Sequence, residues 1–225
     1  MSSQYDFKTK SDGDWIEVHS GAVTNTHPGS MVYVKINTDK ICPNMSNKEF
    51  REMVLRHRDH AVTLVEARLK DLVRWSVLDQ NRVQTWFGNC DESARSKLTN
   101  GLTSIVRVLR GLTGDNFVRW EPRTASYVGC TPNPVQSGVV AEVCAPDTRT
   151  HTIAIRHEFC DMREFSWEKD SIVSTLIHEA SHFQDTMATR DWKYFMDDCL
   201  SWGKSNPEQA INNADSIAGY VIYNA

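Results

Sequence analysis

The stretch Ser174-Thr-Leu-Ile-His-Glu-Ala-Ser-His-Phe183 constrains this chain more than any other. It sets His178 and His182 four residues apart, with Glu179 beside the first. On an α-helix, positions i and i+4 share a face, so two imidazoles can converge on one metal ion. A carboxylate at i+1 then reaches a water next to that ion, which is the mechanical content of the His-Glu-x-x-His pattern. The flanking residues favour a helix. Asp170-Ser171 offers an N-cap, and Ile172, Val173, Leu176, Ile177, Ala180 and Phe183 recur at helical spacing, leaving Thr175, His178 and His182 on a more polar stripe. The sequence therefore predicts a metal-bearing helix with one buried side, and hydrolytic chemistry.

A catalytic zinc usually takes three protein ligands and keeps one position open, so a third ligand is expected downstream. No histidine follows His182, which excludes the metzincin pattern. Asp191 lies in Ala188-Thr-Arg-Asp-Trp-Lys-Tyr-Phe195, with Tyr194 following it.

His178-Glu-x-x-His182 followed by Thr189-x-Asp191-x-x-Tyr194 resembles the aspzincins, the family of deuterolysin and the fungal peptidyl-Lys metalloendopeptidases. The resemblance extends to Ser205-Asn-Pro-Glu-Gln-Ala-Ile-Asn-Asn-Ala-Asp-Ser216, similar to the family's closing helix, and weakly to Trp86-Phe-Gly88, so that it covers residues 46–225. It implies His178, His182 and Asp191 as ligands of one zinc ion, Glu179 as general base and Tyr194 as a donor to the oxyanion. It also implies that Asp215 lines the pocket for the residue after the scissile bond, where a carboxylate attracts a substrate ammonium and favours Lys. Lysine-specific members carry a second acid three residues on; this chain has Ala218. The alternative for Asp215 is a hydrogen bond to loop backbone or to a ligand histidine. The family has glycine where this chain has Ala188 and Phe195. Glycine permits positive φ and alanine does so only at a cost, so these two positions put the loop's backbone path in question.

The 225 residues, 40% hydrophobic and 24% charged, suffice for a single α+β domain. The expected architecture is zincin-like and mainly helical, with a small twisted sheet beside the metal-binding helix. A net charge of −4 gives no electrostatic reason to expect nucleic acid. No apolar run is long enough for a membrane helix. The expected partner is a polypeptide substrate, and the expected state a monomer.

The start, Met-Ser-Ser-Gln-Tyr-Asp-Phe, lacks the apolar core of a signal peptide, although the resemblance implies a secreted protease. This leaves two expectations: secretion, or delivery as an effector into another cell, where an inhibitor or immunity protein would be a further partner. A third reading is a non-catalytic zinc-bearing binding domain, against which an intact Glu179 speaks. Cys42, Cys90, Cys130, Cys144, Cys160 and Cys199 show no zinc-finger spacing, and their even number permits disulfides outside the cytosol. The pairings expected are Cys130 with Cys144 and Cys160 with Cys199.

Residues 1–45 read as an extension with short strands, around Trp15–Val18 and at 32–36, packed on the main domain of residues 46–225. Ser46 and Glu49 form a capping box for a helix running from Phe50 toward Trp75, whose His57 and His60 are expected on a solvated face. Asp91 opens another helix, which Gly111 and Gly114 end. Strands follow at 117–120, 138–143 and 152–156. One of their edges is expected to bind substrate as an added strand, without the sequence saying which. A closing helix is expected from Asn206, with Pro207 at its first position.

Overall fold

The computed structural model describes residues 39–131 and 138–223. The strands expected before residue 39, and the packing of that extension, lie outside the described residues. Helix α1 (Asn47–Arg74) starts at the capping box read from the sequence, with the Ser46 hydroxyl accepting from Glu49 N–H and the Glu49 side chain from Ser46 N–H. It buries Phe50, Val54, Ala61, Val65 and Leu72, one stripe at helical spacing, against α3 (Glu92–Gly111), which answers with Leu98, Leu102, Ile105 and Leu109. In sequence between them, α2 (Val77–Phe87) starts at a second capping box, Ser76 with Asp79, and packs on the C-terminal helices.

His57 departs from expectation, since it is buried on α1 rather than solvated, with Nε2 3.7 Å from Glu164. The polar reading failed there because the neighbouring turn after the sheet closes over that part of α1.

Strands β1 (Phe117–Arg119), β2 (Ala141–Val143) and β3 (Ile153–Ile155) form one sheet in the order β1-β3-β2. β1 runs parallel to β3, with Phe117 opposite Ile153, and β2 antiparallel, with Ala141 opposite Ile155. The crossover that the parallel pair requires contains the short helix α4 (Pro122–Tyr127) and β2 itself. Among the described residues β2 is thus left as an edge, and it lies against α5 (Ile172–His182). All three residues of β3 are buried, as befits the middle strand.

The closing segment is not one helix. α6 (Met196–Gly203) and α7 (Pro207–Ala210) precede α8 (Ala214–Ile222), and Ile211–Asn213 breaks the path before α8. That break frees backbone to pair with the loop after the metal-motif helix at Arg190. α8 is buried almost throughout and packs along α5. Gly219 lets it approach Trp86, since a Cβ there would collide with the indole.

Cys130 and Cys144 are bonded as expected, with Cα atoms 5.8 Å apart. The other expected pairing is wrong: Cys160 bonds Cys42, across 118 residues. Cys42 precedes α1, and the turn carrying Cys160 lies against the same end, where Asn44 Nδ2 donates to the Cys160 carbonyl. Cys199 is a free thiol buried on α6, bonded to Lys193 O at 3.4 Å. Among the described residues no helix is long and apolar enough to cross a membrane.

Candidate metal centre

α5 begins where the sequence placed it, with Ser171 as N-cap accepting from Ser174 N–H. Its apolar side, Ile172, Val173, Leu176, Ile177 and Ala180, is at most 3% exposed, so burial fixes the helix's rotation. His178 and His182 are thereby turned toward a cavity of about 840 Å³ lined by β2, α5, the loop after α5 and the start of α8.

The two Nε2 atoms stand 3.0 Å apart, and Asp191 Oδ1 lies 3.3 Å from the first and 3.4 Å from the second. Three donors about 2.0–2.2 Å from one tetrahedral ion would be separated by about 3.4 Å, so the residues fit a metal. The tautomers fit as well. His182 Nδ1 faces the Thr189 carbonyl at 3.0 Å, and a carbonyl only accepts, so Nδ1 carries the proton and Nε2 is bare. His178 Nδ1 faces Asp215 Oδ1 at 2.5 Å with the same consequence. Two bare ring nitrogens and a carboxylate converging on one point are a donor set that a cation completes. Among the described residues this is the single His/Cys/Asp/Glu cluster of that kind.

Asp191 is brought there by a loop whose structure is tertiary. Arg190 N–H donates to Asn212 O at 2.8 Å, and Ala214 N–H to Arg190 O at 3.0 Å, so the loop pairs with the break before α8 like a short parallel strand. Asn213, fully buried, accepts from Trp192 and Lys193 N–H through Oδ1 and donates to Lys193 O through Nδ2. Neither Asn213 nor the Thr189 carbonyl was assigned a role from sequence; the one available signal was their place within the family-like stretches. Ala188 (φ 50°) and Phe195 (φ 65°) keep the left-handed path that glycine would take, so the loop's course survives both substitutions.

Glu179 is 4% exposed, and burial together with the Asp191 charge pushes its carboxyl up to about 7, the His178 charge opposing. Burial opposes a charged His178, yet the Asp215 carboxylate and Asp191 outweigh it and raise this imidazole well above its ordinary value, so a cation at Nε2 would take the place of a proton there. His182 moves the other way, lowered by burial and by the neighbouring His178 charge. Asp191 is held low despite burial by its hydrogen bond and attraction to His178. Tyr194 shares a hydrogen bond with Asp191; burial and that carboxylate push its phenol up to about 12, which keeps it a proton donor at neutral pH.

Asp215 lines the cavity, but both oxygens are engaged, Oδ1 with His178 and Oδ2 accepting from Phe195 N–H at 2.8 Å. Ala218 is 2% exposed and faces the core, so an acid there would leave the cavity unchanged or disrupt packing.

A helix bearing two imidazoles and an adjacent buried carboxylate, a third donor from a following loop, and an edge strand alongside define a site suited to a single metal ion. Residues 76–222 match the family model of the aspzincins, described as lysine-specific metallo-endopeptidase, and the chain belongs to this family. A peptidyl-Lys metalloendopeptidase of Armillaria mellea is 47% identical over 55 residues, covering 24% of this chain and 16% of that protein. One of Pleurotus ostreatus is 51% identical over 47 residues, covering 21% and 28%. The chain thus matches less than a third of either relative's length. The fold is similar to that of a zinc peptidase from Grifola frondosa, with a TM-score of 0.59 and 22% identity over 77% of this chain and 94% of that one.

Proposed function

We propose that the protein is a zinc-dependent endopeptidase that hydrolyses peptide bonds with one ion held by His178, His182 and Asp191. The observation that carries this reading is the convergence of those three donors, with Glu179 beside them, in a cleft walled by the free edge of β2. Zinc in such a donor set supplies Lewis acidity, polarising a substrate carbonyl and acidifying water.

The chain's own residues do the rest. An extended substrate adds to the β2 edge through backbone hydrogen bonds, which places one carbonyl over the donor set. Glu179, its carboxyl near neutrality, accepts the proton of the attacking water and returns it to the leaving amine. Tyr194 donates to the carbonyl oxygen as charge develops there, a contribution typically of about 10²–10³ in rate. Asp215 holds His178 in the tautomer that leaves Nε2 free, and we assign it this positioning role.

A preference for Lys after the scissile bond is part of the proposal. It is supported by the acidic lining of the cleft, Glu142, Asp170 and Asp215. Asp170 is the available charge among these, since it makes no hydrogen bond or ion pair with the described residues. Burial and repulsion from Asp215 push its carboxyl up to about 6, and a substrate ammonium would relieve that repulsion. Two disulfides support work in an oxidising, extracellular setting.

The test is a cleavage profile on a denatured proteome with and without chelator. New N-termini beginning with Lys, absent with chelator and restored by zinc, are expected. A profile without new termini overturns the reading.

A further inference from the structure

Phe195 is the last residue of the loop that follows the metal helix, and it occupies a backbone conformation (φ 65°, ψ 131°) in which a side chain is strained. Its main chain is pinned on both sides. The N–H donates to Asp215 Oδ2 at 2.8 Å, and the carbonyl accepts from Cys199 N–H at 2.9 Å, opening α6. These bonds account for the backbone, and glycine would make both without strain. They do not account for the ring. Phe195 is 65% exposed and stacks on no other aromatic ring among the described residues, so its phenyl group gains little from the fold. It lines the same cleft as His178, Glu179 and Tyr194, and Tyr194 beside it is 53% exposed.

We infer that Phe195 is a specificity-determining residue, whose ring receives an apolar side chain of the polypeptide flanking the scissile bond. The inference rests on the reading of the cleft as that of a peptidase. An exposed ring at the wall of a concave site sheds ordered water when an apolar group covers it, whereas a ring on an open surface would be covered by nothing. The Asp215 bond fixes where the ring stands relative to His178, because the same carboxylate holds both.

The experiment compares wild type, Phe195→Gly and Phe195→Ala on paired peptides that carry Lys after the scissile bond and differ only in having Phe or Ala before it. Zinc content and melting temperature are measured alongside. Wild type is expected to favour the Phe peptide, and both variants to lose that discrimination by roughly tenfold in kcat/KM ratio. Phe195→Gly should melt no lower than wild type, since it removes strain and no buried contact. Equal losses on both peptides, unchanged discrimination, or a lower melting temperature for the glycine variant would overturn the inference. If wild type cuts neither peptide, the peptidase reading fails by itself. Anisotropy of the labelled peptides then decides the inference, which stands only if the Phe peptide binds more tightly to wild type and Phe195→Ala erases the difference.

Discussion

Helix α5 and the loop from Phe183 to Phe195 supply one donor set by different physics. The helix delivers His178 and His182 through its own period, and its rotation is fixed by a largely apolar back pressed on α1, α3 and α8. The loop has no such period. It delivers Asp191 because two backbone bonds tie Arg190 to Asn212 and Ala214, and because Asn213 satisfies Trp192 and Lys193 from inside the protein. The helix is over-determined locally; the loop is determined from twenty residues away in sequence. It also holds Ala188 and Phe195 at positive φ, which the helix side never requires. A metal site can thus pair a rigid half with a half kept in place by its neighbours.

The largest expected effects break the two halves separately. Glu179→Gln, on the helix side, should retain zinc and lower kcat by about 10²–10⁴, as removal of a general base does. Asp191→Ala, on the loop side, should release zinc instead. Elemental analysis beside turnover separates them, and full occupancy in Asp191→Ala would remove the loop from the donor set.

Asn213→Ala tests whether the loop is held from outside. It strips two N–H groups and one carbonyl of their buried partner, which costs on the order of 2–3 kcal/mol. Denaturant unfolding should report that loss together with weakened zinc binding. Stability equal to wild type would mean that the loop holds its own shape.

Asp215→Asn sharpens the link between the halves, because this carboxylate bonds His178 on the helix and Phe195 on the loop. Zinc affinity should fall about 10–100-fold, with activity falling alike on Lys and neutral peptides. Competition with a calibrated chelator measures the first. Unchanged affinity with loss of Lys cleavage alone would return Asp215 to the substrate pocket.

The smallest effect is Ala188→Gly. Relief of positive φ should raise stability by about 1 kcal/mol, with zinc affinity unchanged. A melting temperature below wild type would show that the alanine methyl packs usefully and that the backbone there is not strained.

The helix half of this site could be read directly because its information is local. The Ser171 cap, the apolar spacing and the His-Glu-x-x-His offset all operate within a few turns, and each survived folding. The Ser46 capping box and the three short strands were legible for the same reason. α2, α6 and the break at 211–213 were not, since their residues carry weak patterns that packing overrides. His57 looked solvated because charged neighbours surround it in sequence, while in space a later turn covers it.

The sequence by itself determined which two side chains of α5 converge as candidate ligands, and named Asp191 and Tyr194 through resemblance. Tertiary structure alone decided that Asp215 spends both oxygens on His178 and Phe195, that β2 and Ala154 of β3 rather than β1 border the cleft, and that Cys42 rather than Cys199 meets Cys160. These are pairings between segments far apart in the chain. Their partners are chosen by how helices and strands pack around a common core, and no local spacing encodes that choice.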